Sequence, residues 1–289
     1  MLMIDIIERI PINKGWSSDK KYCVTDPCGK KYLVRITPHS VNARHEELFL
    51  IQKELEKLGV PMCAPVQFGL CDEGSYILQS WIDGEDFEDC MVRLTQSEKY
   101  AYGLEAGHIL KKIHTIPAPS DQTPWHIRFN AKIDRKIKLY NDCPIKFTGA
   151  ESCLRYIEKN RHLLNGRPQT FQHGDYHTGN MMLQNGRITI IDFDRYDFGD
   201  PWEEFNRIVW CAQCSAHFAS GMVDGYFAGE VPDTFWNLLA LYICSNTLSS
   251  VHWAVPFGDE QVSVMLNQAN DVLKWYDGMK TVIPLWYIH

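Results

Sequence analysis

Residues Phe171–Ile208 read FQHGDYHTGNMMLQNGRITIIDFDRYDFGDPWEEFNRI, and this stretch decides the fold. A polar loop opens it. Met181–Gln184 (MMLQ) reads as a short strand, Asn185-Gly186 as a turn, and Ile188–Ile191 (ITII) as a strongly β-branched second strand. Asn-Gly between two such runs signals a two-residue hairpin, because both central turn positions take positive φ. A hairpin here folds the preceding loop back beside the acids that follow. Asp175 and Asn180 are therefore expected to face Asp192. Two carboxylates and one amide oxygen are hard donors, a set that suits Mg²⁺, which keeps water and phosphate oxygens in its remaining positions.

Asp175 and Asn180 are separated by four residues, and Asp192-Phe193-Asp194 follows the hairpin. Enzymes of phosphoryl transfer share this order: an Asp that orients or deprotonates the attacking hydroxyl, then Asn and Asp on the metal. Gly174 replaces the Arg of H-R-D, Gly199-Asp200-Pro201 comes soon after Asp192, and A-P-E is absent, which disfavours a protein kinase. The block H-G-D-Y-H-T-G-N, I-D-F and G-D-P resembles the aminoglycoside phosphotransferase and choline-kinase-like family of small-molecule kinases. The resemblance implies Asp175 as catalytic base or hydroxyl-orienting group and Asn180 and Asp192 as Mg²⁺ ligands. His173 would hold the loop and Asp200 would brace it, while the resemblance carries no derivable role for His177. It implies a phosphotransferase with an alcohol group as acceptor and ATP or GTP as donor. The alternatives are a choline/ethanolamine- or sugar-type metabolite kinase of the same fold and a non-catalytic nucleotide-binding pseudokinase.

Outward from this block the chain changes character once. Lys20–Asp26 and Lys30–Ile36 are β-rich runs joined by Pro-Cys-Gly-Lys, a hairpin pattern. Leu48, Ile51, Leu55 and Leu58 repeat as one helix face, closed by Gly59 and Pro61. Strands are expected at Pro65–Gly69 and Tyr76–Trp81. Beyond Ile82–Asp86 helical signals dominate, beginning with Thr95 and Glu98 as a capping box. The class is α+β: a protein-kinase-like two-lobe fold, with a small sheet-rich lobe with one helix over 1–82 and a larger, mainly helical lobe over 83–289. A cleft between two lobes is a natural ligand site.

Kinases hold nucleotide phosphates with a strand cation paired to a helix Glu. Strand alternation puts Leu33 and Arg35 on one face, Leu33 for the base and Arg35 for the phosphates, with Lys31 as an alternative a step earlier. Glu46 and Glu47 both qualify as the partner; Glu47 is nearer the expected buried stripe. The resemblance implies a short nucleotide-covering loop containing Gly15, Ser17 and Ser18, and a hinge at Gln79-Ser80-Trp81-Ile82 that offers backbone groups to a purine.

The chain has 289 residues, 45% hydrophobic and 22% charged, an ordinary globular composition. Its start lacks a signal peptide's apolar core and no run of eighteen apolar residues occurs, so a cytoplasmic enzyme without a membrane partner is expected. Net charge −7 argues against nucleic acid. Most of it lies after Pro201, where nine acids meet only Arg207, Lys274 and Lys280, and six of the nine Trp residues lie there too. That segment suits a cationic acceptor by charge or a choline-like one by aromatic faces, as well as a packed core with a solvated acidic face. Asp194, Asp197, Glu203, Glu204, Asn206, Trp210 and Trp253 are the candidate acceptor contacts. The Cys211-x-x-Cys214 pair has no second ligand pair and reads as reduced core thiols. A monomer and a homodimer are both compatible with the sequence.

Overall fold

The computed structural model describes residues 5–13 and 19–288. Gly15, Ser17 and Ser18 lie outside the described residues. Strands run in the order β1 (Glu8–Ile12), β2 (Lys20–Thr25), β3 (Lys31–Pro38), β4 (Pro65–Cys71), β5 (Gly74–Ser80), β6 (Glu85–Asp86), β7 (Thr170–Gln172), β8 (Met181–Gln184), β9 (Arg187–Ile190) and β10 (Asp197–Gly199). The helices are α1 (Asn42–Lys57), α2 (Phe87–Met91), α3 (Gln96–Ile113), α4 (Trp125–Asp142), α5 (Ala150–Asn160), α6 (Ile208–Cys214), α7 (Ala216–Phe227), α8 (Asp233–Ala254) and α9 (Asp259–Trp275). The class is α+β, as expected.

Two compact units divide the chain: Met1–Cys90 with Gly179–Asp194, and Met91–Thr178 with Arg195–His289. The division expected after residue 82 falls at Cys90. The 181–190 hairpin, expected in the second lobe, groups with the first unit.

In the first unit an antiparallel sheet runs in the order β1-β2-β3-β5-β4. Alternation along β3 gives each face its own task. Tyr32 and Val34 join Val24, Tyr76 and Leu78 in an apolar cluster on one face, while Arg35 points from the other. β1 is an edge strand that the sequence reading misses, because four of its five residues are exposed and it has no apolar alternation. The stripe of α1 also differs from expectation. His45, Leu48, Gln52 and Leu55 are buried, whereas Leu58 is exposed. His45 is within hydrogen-bonding distance of Ser75 Oγ (2.8 Å from Nδ1) and Thr37 Oγ1 (3.4 Å from Nε2). A polar residue takes an inward helical position because the sheet offers it two hydroxyls.

The second unit is built on α8, buried on nearly every side, which is the mark of a central helix. Residues Asp233–Phe257 are long and apolar enough to cross a membrane by length and composition, but 67% of the qualifying window is buried among the unit's own helices. Trp125, Phe129 and Ile133, four residues apart on α4, pack with Cys153 and Ile157 of α5 and with Leu241, Tyr242 and Leu248 of α8. The capping box opens α3: the Glu98 carboxylate accepts from Thr95 N–H at 2.8 Å and the Thr95 hydroxyl accepts from Glu98 N–H at 3.3 Å. Helices α3 and α7 meet backbone to backbone. A Cβ on Gly103 or Gly107 would sit 2.3 or 2.2 Å from the carbonyls of Phe218 and Met222, and one on Gly221 or Gly225 would meet those of Tyr100 and Leu104 at 2.2 Å.

Two outcomes follow. Gly107→Ala and Gly221→Ala should each cost about 1–3 kcal/mol through overpacking, read as a lower midpoint in denaturant melts. Burial, reinforced by the charge of Arg35, pushes the His45 imidazole down to about 4. Between its ordinary 6.5 and this value the unfolded chain takes up a proton that the folded chain refuses. The contribution is therefore whole above pH 6.5 and is lost as pH falls towards 4, at most about 3 kcal/mol. Unfolding of His45→Asn at pH 4.5 and 7 should lack that part of the pH slope.

Candidate active site

The residues expected at the metal, Asn180 and Asp192, belong to the first unit. Asn180 immediately precedes β8 and Asp192 follows β9 by one residue. Met181 pairs with Ile190, and Ile191 N–H donates to the Asn180 carbonyl at 3.0 Å, so both residues come to the open end of one hairpin. Asp192 has φ 66°, in the left-handed region that short polar side chains tolerate better than most.

Arg35 reaches this end from the sheet. Its buried guanidinium meets Asp19 (Nε to Oδ2, 2.6 Å), Asp192 (Nη1 to Oδ1, 3.0 Å) and Asp194 through Nη2. A planar fork satisfies several carboxylates at once, which a lysine ammonium does less specifically. Lys21 stands opposite Arg35 in the β2–β3 register. Burial and the Arg35 charge push its ammonium below the usual range, against the pull of Asp192 and Asp19. Leu33 pairs with Gln79 across β3 and β5, and Trp81 follows the end of β5. Glu46 and Glu47 are both exposed on α1. Asp19 and Asp192 lie 2.6 and 3.0 Å from Arg35.

The Asn180 amide oxygen and the Asp192 carboxylate have the chemistry Mg²⁺ prefers. Among the described residues no group of three or more His, Cys, Asp or Glu is placed to hold a metal. An ion on Asn180 and Asp192 would thus draw further ligands from water and substrate phosphate. Cys214 ends α6 and His217 lies on α7, and among the described residues they form no group placed to hold a metal.

Asp175 belongs to the second unit, on the loop after β7. Pairing of β7 with β10 sets Gln172 against Asp197 and Phe171 against Phe198 and holds the loop at its root. Gly174 takes φ 84°, and a Cβ there would lie 2.0 Å from the Arg195 carbonyl oxygen. No other residue satisfies both conditions. Buried His173 accepts the Asp175 N–H at Nδ1 (3.2 Å), which places the ring proton of the neutral form on Nε2. Tyr176 is wholly buried and its hydroxyl donates to the Ala106 carbonyl at 2.7 Å. The Asp175 carboxylate projects into positive surroundings: Arg207 Nε at 3.1 Å, His177 Nε2 at 3.7 Å and Arg195 Nε at 3.8 Å. Burial alone would raise its pKa. The His177 hydrogen bond and the charges of Arg207, His177 and Arg195 outweigh burial and hold the carboxyl well below the usual carboxylate range.

Two acids expected at the acceptor brace this loop instead. Glu204 is 1% exposed, and its carboxylate accepts from Gly174 N–H at 3.0 Å and Tyr176 N–H at 3.4 Å. Glu203 is buried, pairs with Lys132 at 2.9 Å and accepts from Gln172. Buried carboxylates must be hydrogen-bonded or paired, and these two are used by the protein itself. Asn206 is buried and donates to the Glu203 carbonyl at 2.6 Å. Asp200 is fully buried, bound by Arg167 through Nε (2.6 Å) and Nη2 (2.9 Å), by Tyr242 OH (2.5 Å) and by Trp202 N–H (2.9 Å).

A family model described as the phosphotransferase enzyme family matches residues 8–235. The chain belongs to that family. No curated protein matches the sequence. Among solved structures this phosphotransferase is similar in fold to a thermostable mutant of aminoglycoside phosphotransferase APH(4)-Ia in ternary complex with ADP and hygromycin B (TM-score 0.67, 14% identity, 93% of this chain and 94% of that one). It is similar also to a choline/ethanolamine kinase family protein from Mesorhizobium loti (TM-score 0.67, 15% identity, 95% and 90%) and to APH(2")-IIa in complex with gentamicin (TM-score 0.61, 17% identity, 92% and 91%). The two-lobe kinase-like fold is thereby shown.

The other expected acceptor residues fall in both units. Asp194 lies in the first unit on Arg35; Asp197 pairs with Arg128 at 2.9 Å. Trp210 is half-buried, its ring centroid 6.2 Å from that of His177, and exposed Trp253 packs on Phe257. The sequence reading misses Asp19, Lys21, Arg195 and Arg207. Lys21 was within reach, since alternation on the neighbouring strand places it beside Arg35; the two arginines carry no spacing signal. Gly174→Ala should keep the fold and lower turnover by at least about 10²-fold through displacement of Asp175, measured as ADP release with circular dichroism as the folding control.

Proposed function

We propose that this phosphotransferase is a small-molecule kinase that moves the γ-phosphoryl group of a nucleoside triphosphate to a hydroxyl of a small acceptor. One observation carries the reading: a carboxylate kept ionised at the end of a doubly braced loop, followed five residues later by the first of two hard-oxygen metal donors. ATP is favoured over GTP as donor because fold neighbours hold ADP and AMP-PNP. The intact Asp175, Asn180 and Asp192 set argues against a pseudokinase.

Asp175 is the catalytic residue of this reading. A loose phosphoryl-transfer transition state asks little nucleophilic push of the acceptor oxygen, so orientation matters more than basicity. A carboxylate this acidic suits that role: it accepts the hydroxyl's hydrogen bond, aims the oxygen, and takes the proton only late. Asn180 and Asp192 hold Mg²⁺, which when bound neutralises charge on the phosphates. Arg35 fixes the Asp192 carboxylate and, with Leu33, Gln79, Trp81, Gly15, Ser17 and Ser18, serves the nucleotide; Glu47 remains the proposed helix-side acid. The enzyme is proposed to act in the cytoplasm on a free small molecule, with no nucleic-acid or membrane partner.

A coupled ADP-release assay tests the reading. Asp175→Asn should lower acceptor-dependent turnover by at least about 10²-fold with ADP affinity within twofold of wild type. Near-normal turnover removes Asp175 from its role. The acid limb of the wild-type pH–rate profile should also not report an ordinary carboxylate at Asp175, since its charged form persists below that range.

A further inference from the structure

The acids of the C-terminal third are already engaged, including the two that lie beside the catalytic aspartate. Glu203 and Glu204 are buried under the loop, Asp224 accepts from Tyr100 and Tyr287, and Asp277 pairs with Lys280. The Asp175 carboxylate itself is approached by cations, Arg207 and Arg195 among them. The positive group continues onto α4. Lys132 is neutralised by Glu203, but Lys136, one turn further on, is not. The Lys136 ammonium meets Asn246 Oδ1 at 3.3 Å, and among the described residues no carboxylate lies within ion-pair distance of it. Arg207 Nε is buried without a hydrogen bond, despite its approach to Asp175.

Arg195, Arg207 and Lys132 thus stand beside three carboxylates, Asp175, Glu203 and Glu204, and Lys136 adds a cation for which no further carboxylate is placed among the described residues. Burial, then the charge of Lys132, pushes the Lys136 ammonium down to about 7; Glu203 opposes this shift and Arg207 adds to it. An unneutralised, half-desolvated lysine is costly to keep. An anion arriving at this position would restore its proton and complete the charge balance. A polycation would meet the like charges of Arg207, Arg195 and Lys136, which repel it.

We infer that the acceptor bears an anionic group, a carboxylate or a phosphomonoester, in addition to its hydroxyl, and that Lys136 with Arg207 receives that group. The inference rests on the kinase reading for the hydroxyl's fate, but not for the anion. Lys136 is a specificity-determining residue in this scheme. It holds the far end of the acceptor while Asp175 orients the hydroxyl.

Calorimetric titration of the full chain without nucleotide, using glucose 6-phosphate, gluconate, glucose and kanamycin, tests it. Gluconate or glucose 6-phosphate should bind at least about tenfold more tightly than glucose or kanamycin. Lys136→Gln should weaken that anion by at least about tenfold and Lys136→Arg should recover most of the loss. In ADP-release assays the Gln variant should raise KM for the anionic acceptor with kcat within about twofold, as loss of uniform binding predicts. Tighter binding of kanamycin or glucose, no measurable binding of either anion, or an anion affinity unchanged in Lys136→Gln overturns the inference. Lys136-dependent anion binding with no phosphoryl transfer to any acceptor would sink the kinase reading instead and leave an anion site in place.

Discussion

A buried carboxylate beneath the loop 173–178 carries the rest of the second unit's chemistry. Glu204 accepts the backbone N–H groups of Gly174 and Tyr176, and so turns the loop's own peptide groups into its anchor. Desolvating a carboxylate is expensive, and the cost is met only while those donors remain in place. The arrangement is consequently stiff: any slackening of the loop would leave a charge buried and unpaired. His173 Nδ1 accepts the N–H between those two, that of Asp175. Asp175 is the residue left projecting from a backbone held on both sides.

Asp200 repeats the device one layer deeper. Its carboxylate gathers Arg167, Tyr242 and a backbone N–H, and its carbonyl accepts from Gln172 on the strand that leads into the loop. Tyr242 belongs to the central helix α8 and also accepts from Trp125 of α4. Packing of the apolar core is thereby transmitted to a polar loop by a short chain of charge-assisted bonds. In the first unit Arg35 performs the matching service for Asp192, from a sheet whose opposite face is apolar. Each unit thus uses a buried ion or ion pair for position rather than for net stability, as geometry-limited charge pairs commonly do.

The electrostatics of the two regions differ in sign. Around Asp192 three acids share one arginine and a half-buried lysine. Around Asp175 the cations are in excess. A region dominated by carboxylates favours a metal ion, and one dominated by guanidinium and ammonium groups favours an anion. Net charge over a hundred residues hides this contrast, because the acids of the C-terminal third serve as braces and surface partners.

From the sequence alone come the hairpin of Met181–Ile190, the hairpin of Lys20–Ile36, the strands at Pro65–Gly69 and Tyr76–Trp81, the capped helix after Thr95 and the order Asp175, Asn180, Asp192. These are local facts: a turn's φ values, a cap's hydrogen bonds and a strand's alternation are settled within a few residues. The edge strand Glu8–Ile12 escaped because an exposed strand has no burial pattern to betray it. Tertiary structure alone decided that Glu203 and Glu204 lie inward, that His45 and Gln52 are buried polar residues of α1, and that Arg195, Arg207 and Lys136 belong to the second unit. Such choices depend on which distant groups supply partners for a charge. Sequence spacing does not encode the desolvation that makes those partners necessary.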